Sequence, residues 1–268
     1  MIPAAFEYRR AGSVDEAIEL VGSDPDAKLL AGGHSLIPLL RLRFARPSLL
    51  VDVGRLSELR YVREDGDRIA IGALTRYADL AADPLLAERC APLARAASLV
   101  GDPQVRHRGT IGGAVAHGDP ASDAPPVLLA LDADFVVRGP SGERTVPAAA
   151  FFTGMFDVTL EPQEILTEIR VPAATGAYLK FVRREHDWAT VGVAATRSNG
   201  SVHVGLTSMG ATPLRARGVE EALANGASAA EAAERAAEGT SPPSDVAGSA
   251  EYREHLARVL VRRALESL

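Results

Sequence analysis

The pattern of the sequence predicts a mixed α+β protein and not a repeating βαβ array. Three observations carry this expectation. A strand–helix–strand series from Lys28 to Val53 suggests a small parallel unit. Beyond Leu59, strand-like segments follow one another through tight turns. Ala- and Leu-rich stretches of helical spacing separate or follow those strands, and no internal repeat is visible.

Ser13 and Glu16 form a capping-box signature, and Val14, Ala17, Ile18 and Val21 give the helix behind it an apolar face that ends at Gly22-Ser23-Asp24-Pro25. Lys28 to Ala31 reads as a buried strand and Gly32-Gly33-His34-Ser35 as a tight loop. Leu36 to Arg43 reads as a helix tolerating Pro38 in its first turn, and Ser48 to Val53 as the next strand. Leu59 to Arg63 and Arg68 to Ala73 flank a hairpin turn at Glu64-Asp65-Gly66-Asp67. Thr75 is expected to cap a helix reaching Ala82, and Pro84 to Leu99 to form one continuous helix. From Gly101 to Pro120, five glycines and two prolines leave almost no helical periodicity, so a long irregular stretch is expected. Such a stretch more often serves function than idles.

Asp123-Ala124-Pro125-Pro126 starts a helix with prolines in its first turn. A strand–turn–strand follows over Asp134 to Arg138, Gly139-Pro140-Ser141-Gly142 and Arg144 to Val146. Ile165, Thr167, Ile169 and Val171 alternate with polar residues along a strand that ends at Pro172. Ala173 to Gly176 reads as a linker. Tyr178 to Arg183 and Val191 to Ser198 read as strands, and Asn199-Gly200 as a type I′ turn into Val202 to Met209. The last segment is helical and Ala-rich, interrupted from Gly239 to Ser249, and closes on a face of Tyr252, Leu256, Val259 and Leu260.

Composition narrows the function classes. With 268 residues, 47% hydrophobic and 24% charged, the chain is globular material, neither disordered nor of low complexity. Asp plus Glu number 35 against 29 Lys plus Arg, and the net charge of -6 repels a phosphate backbone, so no nucleic-acid partner is expected. Cys90 is the single cysteine, so this chain alone supplies neither a disulfide nor a four-thiolate metal site. MIPAAFEYRR lacks the pattern of a signal peptide, and no apolar run approaches the roughly 18 residues of a membrane span. The default expectation is a cytoplasmic protein without a transmembrane segment, with the inner face of a membrane left open.

Two glycine loops carry the candidate chemistry. In Ala31-Gly32-Gly33-His34-Ser35 the paired glycines let backbone approach a ligand closely, the following N–H groups suit an anion such as a diphosphate, and Ser35 adds a hydroxyl. An ordinary strand-to-helix turn explains this motif equally well, and it lacks the G-x-G-x-x-G spacing of a Rossmann loop. The second loop, Gly109-Thr110-Ile111-Gly112-Gly113-Ala114, leads into His117-Gly118-Asp119-Pro120-Ala121-Ser122-Asp123. Its glycines suit phosphate and Asp123 suits ribityl or ribose hydroxyls, with Asp123 merely capping its helix as the plain alternative. Two such loops favour one split site over two unrelated turns.

The segments AGGHSLIPLL, RGTIGGAVAHGDPASDAP, FFTGMFDVTLEPQEILTEIRVP, LKFVRREHDWATVGVAAT and SDVAGSAEYREHLARVLVRRAL occur in this order over nearly the whole chain. Together they resemble the FAD-binding medium subunit of molybdenum hydroxylases, the xanthine dehydrogenase family, and especially its carbon monoxide dehydrogenase-type flavoproteins. The resemblance implies a vanillyl-alcohol-oxidase-like (PCMH-type) FAD-binding fold. Residues 1–55 and 56–175 would be its two subdomains, and residues 176–268 a C-terminal α+β domain with a small antiparallel sheet. FAD would lie extended between the subdomains and be held non-covalently. Leu29, Leu30, Ala31, Gly32, Gly33, His34, Ser35 and Leu36 would wrap its diphosphate, and Thr110, Ile111, Gly112, Gly113 and Ala114 would meet it from the second loop. Asp123 would take flavin-side hydroxyls, Lys180 would approach the cofactor, Leu166 would pack near the ring system, and His117 and Asp119 would line the same loop.

In this family no side chain of the medium subunit need act as acid, base or nucleophile. Electrons would come from a molybdenum cofactor in a large partner subunit, through 2Fe-2S clusters in a small partner subunit, to the FAD of this chain and on to an external acceptor, in an assembly implied to be a dimer of heterotrimers. Two rival classes are a stand-alone FAD oxidase or reductase and a scaffold that has lost FAD. The C-terminal segment offers no substrate cap or paired acid and base for the first, and the intact glycines at 32, 33, 112 and 113 oppose the second. The remaining histidines, His107, His186, His203 and His255, have no metal-ligand spacing. Arg106, Arg108, Arg183 and Arg184 read as solvated, with a phosphate or an acidic partner surface as the alternative; Trp188, Phe151 and Phe152 read as core or interface aromatics, although the resemblance places the segment of Trp188 close to the flavin, and Cys90 as a buried small hydrophobe.

Overall fold

The computed structural model describes residues 1–198 and 200–268. The chain opens with β1 (Glu7–Arg10), α1 (Val14–Gly22), β2 (Lys28–Leu30), α2 (Leu36–Leu42) and β3 (Leu49–Asp52). The three strands pair in parallel in the order β1-β3-β2. β1 escapes sequence reading because all of its residues, Glu7-Tyr8-Arg9-Arg10, are exposed and carry no apolar alternation. At the start of α1 the Ser13 hydroxyl accepts from the Glu16 amide at 3.1 Å, while Glu16 reaches back to Gly12 N–H and not to Ser13, a box displaced by one residue. The buried face of α1 is the expected Val14, Ala17, Ile18 and Val21, and it packs on Leu49, Val51 and Val53.

The middle of the chain comprises β4 (Val62–Asp65), β5 (Arg68–Gly72), α3 (Tyr77–Ala82), α4 (Pro84–Arg89), α5 (Ala91–Leu99), α6 (Pro103–Arg106), α7 (Ile111–His117), α8 (Ala124–Ala130), β6 (Asp134–Gly139) and β7 (Gly142–Pro147). It continues through the small β8 (Phe152–Gly154) and β9 (Asp157–Val158) pair to β10 (Ile165–Pro172). An antiparallel sheet of order β4-β5-β10-β6-β7 forms its floor, and the helices supply a core with Phe135, Phe151 and Leu128 fully buried. β10 is central, with both edges paired, and its polar members Thr167 and Glu168 are buried with the apolar ones.

Three expectations for this region are corrected. Thr75 does not cap α3: its hydroxyl bonds the backbone of Tyr61 at 2.9 and 3.1 Å, and Arg76 occupies the cap position. The helix expected from Pro84 to Leu99 is two helices broken at Cys90, because Pro92 has no N–H to donate to the preceding turn. Burial pushes the Cys90 thiol up to about 12, consistent with an inert packing role. The stretch from Gly101 to Pro120 is not irregular throughout but holds α6 and α7, each capped by a side chain, Asp102 on Val105 N–H and Thr110 on Gly113 N–H. Glycines at the start of α7 hid its periodicity.

Glu168 closes a polar cluster on β10. It accepts from the Tyr61 hydroxyl at 2.6 Å and lies 3.3 Å from Arg63 and 2.5 Å from Arg170. Burial alone would raise its carboxyl, but Tyr61, Arg170 and Arg63 together hold it below the ordinary 4.5. A depressed carboxyl adds stability above its unfolded value, and the gain disappears as pH falls through the folded value. Glu168→Gln is therefore expected to lower the neutral-pH Tm and to flatten the acid limb of the Tm profile below about 4.5. Parallel acid limbs for the two proteins would show that this carboxylate is not linked to folding.

The last part forms β11 (Thr175–Phe181), β12 (Val191–Ser198), β13 (Ser201–Thr207), β14 (Leu214–Arg215), α9 (Arg217–Ala224), α10 (Ala229–Ala233) and α11 (Ala250–Glu266). Its four strands are antiparallel in chain order. Asn199 lies outside the described residues, and with it the turn type expected at Asn199-Gly200; Ser198 pairs with Ser201 on either side. Half of the expected linker is strand, since β11 begins at Thr175. α11 packs one face of this sheet with Leu256, Ala257, Leu260 and Val261, whereas Val259 is only half-buried and Tyr252 is 42% exposed. The other face lies on α8 of the middle region, where a Cβ at Gly205 would overlap the Pro126 carbonyl. Thr196 and Thr207 hydroxyls donate to the carbonyls of Ala130 at 2.7 Å and Pro120 at 2.6 Å, stitching sheet to helix ends.

Candidate functional site

The loop after β2 and the segment before α7 meet back to back. Gly32 sits against the Arg108–Gly109 backbone so closely that a Cβ there would overlap the Arg108 carbonyl oxygen, and Gly33 has φ +78, a conformation that favours glycine. The two glycines thus have different tasks: Gly32 admits the second loop and Gly33 turns the chain into α2. Across the contact, a Cβ at Gly113 would meet the Ala31 side chain at 3.9 Å. The two loops that the sequence sets about 80 residues apart form one junction between the parallel and the antiparallel sheets.

Their hydrogen-bonding states differ. The N–H groups of Gly32, Gly33, His34 and Ser35 find no protein acceptor among the described residues, and the Ser35 hydroxyl makes no cap bond to α2. In the second loop every amide from Ile111 to Ala114 is already used: Ile111 donates to Thr75 O, Gly112 to Ala73 O at 2.9 Å, Gly113 to the Thr110 hydroxyl at 3.2 Å and Ala114 to Thr110 O. The first loop offers donors to a ligand, while the second fixes the distance between sheets. Ile111 is fully buried in the middle core, and Gly112 packs on Ala73. Leu29, Leu30 and Ala31 are half-buried where the strand enters the loop, with Leu36 beginning α2 and His34 exposed, its Nδ1 3.2 Å from Gly32 O.

The flank toward the third sheet is polar and closed. Asp123, 4% exposed at the start of α8, accepts from the Tyr178 hydroxyl at 2.6 Å and from Lys180 Nζ at 2.9 Å. Lys180 also donates to Leu99 O at 3.1 Å. Burial pushes the Asp123 carboxyl up, and the Lys180 ammonium and Tyr178 hydroxyl pull it back toward the charged form. Burial and the adjoining Asp123 charge likewise keep Tyr178 protonated, well above the usual phenol value. Both carboxylate oxygens therefore have partners within the protein, and the cluster ties α8 to β11. Sequence reading placed Asp123 and Lys180 here but missed Tyr178. The signal was available, because residues two apart on a strand share a face and Tyr178 precedes Lys180 by two.

His117 ends α7 with its ring 5.0 Å from Phe156, and burial lowers its basicity against the opposing pull of Asp119. Asp119 accepts from Ala121 N–H at 2.8 Å, which shapes the turn toward Asp123. Leu166 is 5% exposed within β10, so its side chain belongs to the core beneath α7. The junction brings residues 29–36 together with 110–114; His117, Asp119 and the Asp123–Lys180 pair extend from the C-terminal end of α7. Among the described residues no cluster of His, Cys, Asp or Glu is arranged to hold a metal, and no helix is long and apolar enough to cross a membrane.

Donors of this kind fit an anionic dinucleotide. Four consecutive free amides and a free hydroxyl present neutral donors, and no carboxylate lies among them to repel a phosphate. Comparison with known proteins agrees with that chemistry. Residues 4–174 match the model for the FAD binding domain in molybdopterin dehydrogenase, and residues 176–268 the model for the CO dehydrogenase flavoprotein C-terminal domain. The carbon monoxide dehydrogenase medium chain of Hydrogenophaga pseudoflava is 46% identical over all of this chain and 98% of its own length. The glyceraldehyde dehydrogenase medium chain of Sulfolobus acidocaldarius is 37% identical over the whole of both chains. A solved structure of the Hydrogenophaga pseudoflava carbon monoxide dehydrogenase, in a form lacking the Mo-pyranopterin moiety of its cofactor, superposes with a TM-score of 0.95, covering 99% of this chain and 98% of that one.

Proposed function

The chain belongs to the family of FAD-binding medium subunits of molybdopterin dehydrogenases, and from that membership we propose that it is the flavin link of a carbon monoxide dehydrogenase-like molybdenum hydroxylase. Its partners are a large subunit holding the molybdenum cofactor and a small subunit holding 2Fe-2S clusters, and the complex works in the cytoplasm. Bound FAD supplies the chemistry of taking single electrons from an iron–sulfur cluster and passing them on singly or in pairs. The observation that carries the reading is the run of unpartnered amides from Gly32 to Ser35, set against the second glycine loop.

The chain's own residues bind and orient. The amides of Gly32, Gly33, His34 and Ser35, with the Ser35 hydroxyl, hold the diphosphate. Gly113 and Thr110 set the width of the junction. Leu29, Leu30, Ala31 and Leu36 frame the loop, while Ile111, Gly112, Ala114 and Leu166 form the floor beneath it. His117 and Asp119 line the path toward the flavin end, where Asp123 and Lys180 meet the ribityl and ring region while Asp123 keeps its bonds from Tyr178 and Lys180. No proton transfer at a side chain is needed for this role.

Co-purification with the two partners tests the proposal: acid supernatants of the complex should contain one FAD per medium chain. A complex with both partners and no flavin would overturn it. His34 is given a hydrogen-bonding and not a covalent task, because its ring turns back to Gly32 O. Acid precipitation is thus expected to release all the flavin, and His34→Ala to retain it. A flavin-fluorescent protein band on a denaturing gel would refute the non-covalent assignment.

A further inference from the structure

Beside the free amides lies a cleft whose charge the glycine loops do not explain. Ala31, Gly32 and Thr110 line it together with Arg60, Arg76 and Arg108. No acidic residue lines it. The three arginines come from three separate places: Arg60 follows the turn after β3 and donates to Gly54 O at 3.3 Å, Arg76 bridges to Thr110, and Arg108 supplies the carbonyl on which Gly32 rests. Other arginines of the middle region, Arg63 on β4, Arg68 on β5 and Arg89 on α4, each grip a carboxylate. Among the described residues Arg60, Arg76 and Arg108 grip none. In a chain of net charge -6, three unpaired guanidiniums around one cleft without a carboxylate concentrate positive potential there.

We propose that Arg60, Arg76 and Arg108 form a guanidinium collar for the diphosphate of FAD, supplying the charge that the amides of Gly32 to Ser35 lack. This rests on the flavoprotein reading. Guanidinium forks match phosphate oxygens in pairs, and charge-assisted bonds are about twice as strong as neutral ones. The amides orient the diphosphate and the collar sets how tightly, and with what salt dependence, it is held.

The test is FAD titration into the flavin-depleted complex, followed by quenching of flavin fluorescence at low and high salt. Arg60→Gln, Arg76→Gln and Arg108→Gln are each expected to weaken FAD binding about tenfold and to reduce its salt dependence, whereas the corresponding Lys variants recover part of the loss. Inorganic pyrophosphate should raise the Tm of the flavin-depleted wild-type complex and not that of the flavin-depleted triple Gln variant, a readout independent of activity. Wild-type-like FAD affinity in all three Gln variants overturns the collar and leaves the flavoprotein reading standing. So does a result in which the Gln variants bind FAD normally but fail to assemble, since the arginines then face a partner's carboxylates. A wild-type complex without affinity for FAD overturns both.

Discussion

Lys180→Met is expected to destabilise the protein by about 3–5 kcal/mol, because it leaves the Asp123 carboxylate buried without its counter-charge. Lys180 and Asp123 side chains are 6% and 4% exposed, so little solvent is available to compensate. The Tyr178 hydroxyl remains as a partner, but one neutral donor does not replace an ammonium. Burial, already pushing the Asp123 carboxyl up, then acts unopposed by Lys180. A carboxyl raised above its unfolded value favours folding below that unfolded value and loses the advantage as pH rises. The deficit of the variant relative to wild type should therefore shrink in acid. Asp123→Asn added to Lys180→Met should recover much of the stability, since the pair couples directly. Chemical denaturation at neutral and acidic pH measures all three. A pH-independent deficit, or double-variant losses that simply add, would show that the cluster is not an ion pair.

Gly32→Val carries the second large effect. Its side chain would enter the Arg108–Gly109 backbone, which has no flexible end to move aside. The expected cost is about 1–3 kcal/mol of overpacking, with separation of the two loops and loss of FAD from the complex. Gly66→Asn is the matched control: φ is +63 there, no atom lies within 4 Å of a Cβ, and Asn tolerates that backbone. It should retain both Tm and flavin. A Gly32→Val protein with wild-type Tm and full FAD would mean that the loops are not locked together.

How much of this was legible in the sequence follows from what kind of pattern each element leaves. α1 was read residue by residue because its apolar face has helical period and its Ser13 cap is local. β6 and β7 were read from their turn, which pairs Gly139 with Gly142. β1 left no trace, as its residues are all exposed and it joins β3 through backbone pairing and the polar contacts of Tyr8 and Arg10 with Asp52, none of which leaves an apolar pattern. α7 was hidden by the glycines that let it pack on Ala73, so the feature that marks the site also erased the helical pattern. At the site, the glycine loops and Asp123 came from motifs and Lys180 from the family resemblance, while the bond between Asp123 and Lys180 appears only in the structure. The bonds of the Ile111 and Gly112 amides to Thr75 and Ala73, the Tyr178 bond and the meeting of Arg60, Arg76 and Arg108 did not, because each depends on segments far apart in the chain.

In the proposed role electrons pass from the partners' clusters to an acceptor through FAD held at the glycine junction. Removing FAD from the assembled complex and following its iron–sulfur absorbance while substrate is added tests this most directly. The flavin-depleted complex should still bleach its clusters with substrate, fail to reduce the external acceptor, and regain that transfer on addition of FAD. Undiminished reduction of the acceptor by the depleted complex would mean that electrons leave the complex by a route other than this chain's FAD.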